Sequence, residues 1–198
     1  MVNNQNFTPQ DSALLLIDHQ VGTMTLIKNL PLDRVKRNTL ALAKSAQVFK
    51  MPVVLTSSQE TMFQGLLIPE LAEMFPAEYA ARVKRAGIVN AWDDANFVAA
   101  IRKTGRKNLI MAGVTTDVCL IYPAISAVRA GYRVQAVLDA GGSPFDLSEE
   151  MARKRMADAG VVLTATITLM AELAQDWSTP EGEQLKATLF GEVLKGIV

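Results

Sequence analysis

The runs ALLLI at 13–17 and LIMAGV at 109–114 are apolar from end to end. Neither shows the alternation of a strand with one wet face. Both therefore predict strands covered on two sides, as in the parallel sheets of α/β folds. Parallel neighbours must be joined by crossovers, so amphipathic helical segments are required between the strands. The chain supplies them. Segment 32–50 places Val35, Leu42, Ala46 and Phe49 at helical spacing, with Lys36, Arg37 and Lys44 pointing elsewhere. WDDANFVAAIRKTG (92–105) reads as a helix capped by Asp93 or Asp94 and ended by Gly105, and AISAVRAG (124–131) as part of another, closed by Gly131. SEEMARKRMADAG (148–160) predicts a helix with Ser148 as its N-cap. Further strands are expected at PVVLTSS from Pro52, near 81–84, at RVQAVLDA (133–140) and at VVLTATIT (161–168). This alternation predicts an α/β chain, a three-layer α/β/α sandwich with a mainly parallel sheet of about six strands.

The long connection between the second strand and the segment near 81–84 holds one predicted short helix, 70–74, and is of a length that often forms a lid or site wall. The tail, about 170–198, is amphipathic in places through Leu173, Trp177, Leu185, Leu189, Phe190 and Val193, and is expected to pack on the domain, with a neighbouring subunit as the alternative. With 198 residues and no linker, repeat or low-complexity tract, one domain over 1–198 is expected.

Composition narrows the function classes. Twenty basic residues balance twenty acidic ones, so there is no cationic excess to grip nucleic acid. No apolar run approaches the roughly 18 residues that span a membrane, and MVNNQNFTPQDSA shows no leader pattern. One cysteine excludes an internal disulfide and fits a reducing cytoplasm. One histidine excludes a multi-histidine zinc site, and neither G-x-G-x-x-G nor the P-loop pattern occurs, so no metal or nucleotide cofactor is expected.

Ligands of open parallel sheets bind at the carboxyl ends of the strands. Asp18 ends the first strand, Cys119 follows the strand at 108–114, and Lys84 and Arg85 close the segment near 81–84. Pro123 is tolerated only near a helix start, so Cys119 lies close to a helix N-terminus. Such a place stabilises thiolates and offers N–H groups to an oxyanion. Each residue has a plainer alternative: Cys119 as core filling, Asp18 as a helix cap, the Lys84–Arg85 pair as solvated surface. His19 should face the other side of the strand from Asp18, in a satisfied or rim position. Gln20, Phe63, Trp92 and Tyr122 are candidates for substrate-binding pocket walls, with a core role as the alternative for each aromatic.

LLLIDHQ, NAWDD and AGVTTDVC together resemble the isochorismatase-like cysteine hydrolases, and PVVLTSSQET and PELAEMFP resemble in particular its YcaC-like branch, over about residues 12–177. The resemblance implies an α/β/α fold and an acid–cation–thiol set in which Asp18 matches the aspartate, Cys119 the nucleophile and Arg85 the place of the family lysine, with Lys84 one residue off. It implies a cis peptide at Val114–Thr115 and an oxyanion hole from the N–H groups of Thr115 and Cys119. It also implies a homo-oligomer, the branch being similar to proteins that form octamers. The metal-binding histidines of the nicotinamidase branch have no counterparts. The isochorismate-cleaving branch does not depend on a cysteine nucleophile, so Cys119 argues against that reaction. The expected activity is metal-independent hydrolysis of a small amide or related C–N bond through a thioester on Cys119. A redox-reactive thiol protein and a non-catalytic oligomeric homologue are the alternatives.

Overall fold

The structure, a computed structural model, describes residues 6–197. The leader expectation, where it concerns residues 1–5, and the last residue of the tail lie outside the described residues. The chain runs β1 (Ser12–Ile17), α1 (Leu32–Val48), β2 (Val53–Ser58), α2 (Pro69–Met74), α3 (Pro76–Ala80), β3 (Val83–Arg85) and α4 (Ala95–Lys103). It continues through β4 (Asn108–Gly113), α5 (Ile121–Arg129), β5 (Arg133–Val137), α6 (Asp146–Asp158), β6 (Val162–Thr164), α7 (Thr166–Ala174) and α8 (Pro180–Thr188). The six strands form one sheet in the order β3-β2-β1-β4-β5-β6, and every pair is parallel.

The continuous apolar runs are explained by the two faces. In β1, Leu14 and Leu16 enter one core with Val35, Leu42 and Ala46 of α1 and Leu169 of α7. Ala13, Leu15 and Ile17 enter the other, with Phe97 and Ile101 of α4, Ala124 of α5 and Met156 of α6. Period-two alternation sends successive side chains to opposite layers, so a strand between two helical layers is apolar at every position. Of the tail, α8 settles against α1 and α7 through Leu185, Leu189, Ala41 and Met170, while Phe190 points outward at 53% exposure.

Four local readings need correction. The last strand stops at Thr164, and Thr166 opens α7, because the Asp139 carboxylate accepts both the backbone N–H and the hydroxyl of Thr166 at 2.8 Å. This cap comes from a residue far away in the chain, so no local pattern announces it. Helix α6 starts at Asp146, and Ser148 lies within its first turn, donating its hydroxyl to the Phe145 carbonyl at 3.0 Å. The strand at 133–140 stops at Val137 and passes into a 3-10 turn. The long connection also holds a second short helix, α3, opened by Pro76 at a position where its missing N–H costs nothing.

Candidate active site

The strand order changes direction beside β1, with β2 on one side and β4 on the other. The carboxyl ends of β1 and β4 therefore flank a topological switch point. Asp18 follows β1, and the turn after β4 carries Thr115 and Cys119. Asp18 has φ 58, a left-handed conformation that Asp adopts more readily than most residues. Its N–H completes the ladder to the Thr56 carbonyl at 3.0 Å, and its carboxylate is 1% exposed.

Arg85, the last residue of β3, spans β2 to meet that carboxylate. Its Nε donates to Thr56 Oγ1 at 3.1 Å, its Nη1 to the Ile88 carbonyl at 2.7 Å, and its Nη2 to both oxygens of Asp18. Lys84 is exposed, as alternation along β3 requires once Arg85 is buried. The basic residue beside Asp18 is thus Arg85.

The Cys119 thiol lies beside the Asp18 carboxylate on the same cavity wall, close enough for the two groups to interact. Burial is the main cause that pushes the thiol well above its ordinary range; the neighbouring Asp18 carboxylate adds to it, against the Thr115 backbone and Arg85. Burial also raises Asp18, opposed by Arg85 and Cys119. A carboxylate gripped on both oxygens by a guanidinium is ionised, so the proton shared by the pair sits on sulfur. This corrects the expectation of a thiolate stabilised by a helix end. Thr116–Leu120 form one π turn ahead of α5, with Thr115 as the N-cap. Cys119 is therefore past the free N–H positions, and its own N–H donates to the Thr115 carbonyl at 2.7 Å. Of the two N–H groups expected to face an oxyanion, that of Cys119 is already engaged. The Val114–Thr115 peptide is cis.

The turn is held from behind. Thr116 N–H reaches the Gly142 carbonyl at 2.8 Å, Asp117 N–H reaches Ser143 Oγ at 3.3 Å, and Ser143 donates to Glu149 at 2.7 Å. Gly141 is obligatory in this cradle, since a Cβ there would lie 2.5 Å from the Gly113 carbonyl oxygen.

Asp18, Arg85, Thr115 and Cys119 share a cavity of about 250 Å3. The long connection supplies much of its wall, including Gln59, Phe63 and Gln64, as its length suggested. Gln20 also lines it, but its amide is spent on the fold: Oε1 accepts Ser58 N–H at 2.8 Å, and Nε2 donates to the carbonyls of Ser58, at 2.8 Å, and Gly65. Trp92 and Tyr122 do not line the cavity. Trp92 packs edge-on against Tyr132 with centroids 5.5 Å apart, and Tyr122 lies under the Arg155 guanidinium, both on the α4–α6 side of the sheet. Size and aromaticity suggested walls, but both rings are taken by helix packing. Thr23, Ile88 and Val118 line the cavity and were missed, because an ordinary residue in a turn carries no local signal. His19 is fully buried away from it, with Nε2 2.8 Å from the Ala140 carbonyl; burial lowers its pKa to about 4.

Comparison with known proteins identifies the family and the fold. The sequence model described as the Isochorismatase domain matches residues 12–168. The chain is 41% identical to the probable hydrolase YcaC of Escherichia coli K12, over 91% of this chain and 85% of that protein. The structure of YcaC from Pseudomonas aeruginosa, with hexane-2,5-diol and covalent acrylamide, superposes with TM-score 0.93 at 38% identity, covering 98% of this chain and 95% of the other. The E. coli YcaC structure, described as an octameric hydrolase of unknown specificity, also gives TM-score 0.93, at 36% identity over 98% and 94% of the two chains.

Proposed function

The chain belongs to the isochorismatase domain family, and on that premise we propose a metal-independent hydrolase in which Cys119 attacks a small amide or related C–N bond. The observation that carries this is the contact chain Arg85–Asp18–Cys119 on one wall of a small cavity at the switch point. As the substrate carbonyl approaches, Asp18 takes the thiol proton and sulfur bonds to the carbonyl carbon. Thr115 N–H is the first donor available to the oxyanion, and Cys119 N–H can join only by sharing its bond to the Thr115 carbonyl. Asp18 returns the proton to the departing amine, leaving a thioester. Water, deprotonated by Asp18, then releases the acid and restores the thiol. Arg85 keeps its charge throughout and holds Asp18 in place, a role that suits arginine better than proton shuttling.

A peroxide-reactive thiol works best as a resting thiolate, whereas Cys119 sits beside a base, Asp18, that can take its proton when a substrate arrives, which suits hydrolysis. A cytoplasmic setting keeps such a thiol reduced. Assembly into a homo-oligomer belongs to the same reading. E. coli YcaC is described as octameric, and Phe145 and Leu147 expose apolar surface here that a second copy would cover. Among the described residues no helix is long and apolar enough to cross a membrane.

The test is turnover of a panel of small amides, with intact-mass detection of an acyl adduct. Wild type should accumulate the adduct or release ammonia, and Cys119→Ala should do neither. Turnover by folded Cys119→Ala overturns the mechanism.

A further inference from the structure

Resting on the hydrolytic reading above, we infer that Glu149 and Ser143 are positioning residues for the nucleophile: through Asp117 they hold the turn that carries Thr115 and Cys119, and so set the rate of acyl transfer without touching the substrate. The burial of Glu149 comes first. Asp18 and Glu149 are the only buried carboxylic side chains among the described residues. A carboxylate leaves water at a cost that only its partners offset. Asp18 lies beside Cys119 in the cavity, whereas Glu149, at 4% exposure in the first turn of α6, does not line it. One Glu149 oxygen accepts from Nε of the half-exposed Arg153 at 2.9 Å. An i,i+4 pair of this kind forms equally well on a helix surface, so it gives no reason for burial. The other oxygen accepts the hydroxyl of buried Ser143 at 2.7 Å, and that bond leads to the nucleophile.

Ser143 is fully buried with every polar group engaged. Its N–H donates to Asn29 Oδ1 at 2.8 Å, and its carbonyl accepts the N–H groups of Lys28 at 3.0 Å and Asn29 at 3.3 Å. Its hydroxyl oxygen accepts the Asp117 N–H at 3.3 Å. A hydroxyl has one proton, and a carboxylate only accepts. Glu149 therefore takes that proton and turns a Ser143 lone pair toward Asp117. Asp117 is two residues before Cys119, inside the π turn Thr116–Leu120. Thr116 N–H is on the Gly142 carbonyl at 2.8 Å, so the first two N–H groups of this turn are both fixed to residues 142 and 143. Within the turn, the N–H groups of Cys119 and Leu120 converge on the Thr115 carbonyl, at 2.7 and 3.2 Å. A shift of Asp117 thus reaches the sulfur and Thr115 together. Attack on a carbonyl needs the sulfur and an oxyanion donor in register, and a misplacement of about 1 Å costs about 100-fold in rate. Alkylation of the same sulfur needs no oxyanion donor.

The test separates these two reactions in the full-length protein. With p-nitrophenyl acetate, Asp18 takes the thiol proton, sulfur bonds to the carbonyl carbon through a tetrahedral oxyanion, and p-nitrophenolate leaves. With iodoacetamide, sulfur bonds to the methylene carbon, iodide leaves, and no oxyanion forms. Glu149→Ala and Ser143→Ala should each slow acetylation of Cys119 about 10- to 100-fold, and alkylation less than about threefold. The double variant should be no slower than either single one, since both changes cut one network. Glu149→Gln, which keeps an oxygen to accept the Ser143 proton, should restore acetylation to within about threefold of wild type. On an amide that the wild type hydrolyses, Glu149→Ala should lower kcat and leave KM unchanged, because Glu149 meets no part of the substrate. Unchanged acetylation, parallel slowing of both reagents, or an additive loss in the double variant overturns the inference. So does a wild-type Cys119 that is not acetylated, since there is then no acyl transfer to position. Circular dichroism checks folding, and Ser143→Ala decides alone if Glu149→Ala does not fold. Glu149-dependent acetylation in a protein that turns over no amide would leave this inference standing and overturn the hydrolytic reading. Amide hydrolysis indifferent to Glu149 would do the reverse.

Discussion

Asp18 has two effects on Cys119 that a single substitution separates. As the proton acceptor it is needed for turnover; as a neighbouring negative charge it holds the thiol pKa up. Asp18→Asn should lower kcat on amides about 10²–10⁴-fold, the usual size of a general-base loss. The same change should move the pH profile of Cys119 alkylation to lower pH, since the repelling charge is gone and Arg85 remains. Steady-state kinetics and iodoacetamide rates between pH 6 and 10 check the two arms. The variant also leaves Arg85 buried and unpaired, at a cost of about 3–5 kcal/mol, so folding is verified by circular dichroism. His19 gives an independent residue-level prediction. Its folded pKa is about 4 against an ordinary 6.5, so the unfolded chain takes up a proton that the folded ring refuses. The stability it protects is complete above pH 6.5 and is lost as pH falls toward 4. Urea titrations should show a decrease of about 2 kcal/mol from this group between pH 7 and pH 5, and His19→Gln should flatten that part of the slope.

At the scale of elements, the site wall depends on two backbones lying against each other. Gly22 N–H reaches the Gln64 carbonyl at 2.9 Å, and a Cβ at Gly22 would lie 1.8 Å from the Phe63 carbonyl oxygen. No rotamer relieves such a contact, so Gly22→Ala must move the 59–65 loop away from the cavity. The expected result is at least a tenfold fall in kcat/KM with a stability loss of about 1–3 kcal/mol, read by amide turnover and urea denaturation. The Gln20 amide, bonded to Ser58 and Gly65, ties the same loop down and explains why a polar residue is fully buried beside the cavity.

For the whole molecule, the tail is part of the folded body. Leu185 is fully buried between α8, α1 and α7, so Leu185→Ala should cost about 2–5 kcal/mol in urea denaturation. A tail that merely lay on the surface would lose under 1 kcal/mol. Because this layer is far in sequence from Cys119 and outside the cavity lining, the iodoacetamide rate at Cys119 should stay unchanged while the protein remains folded.

The sheet, its parallel sense and the two helical layers were legible in residues alone, because uninterrupted apolar strands alternating with amphipathic segments have few other ways to bury themselves. The positions of Asp18 and Cys119 at strand ends were legible for the same reason. The strand order, which brings β3 near β1 and lets Arg85 reach Asp18 across β2, was decided by tertiary pairing. So was the protonation of the thiol. A helix end read from Pro123 suggested a thiolate, whereas burial and a carboxylate 101 positions away in the chain favour the neutral form. The same holds for Trp92 and Tyr122, whose rings are claimed by helix packing, and for α7, whose start is capped by Asp139. Local pattern determines which segments are strands and helices through solvent exposure. Electric field, cavity shape and hydrogen-bond partners depend on which segments meet, and only the folded chain brings them together.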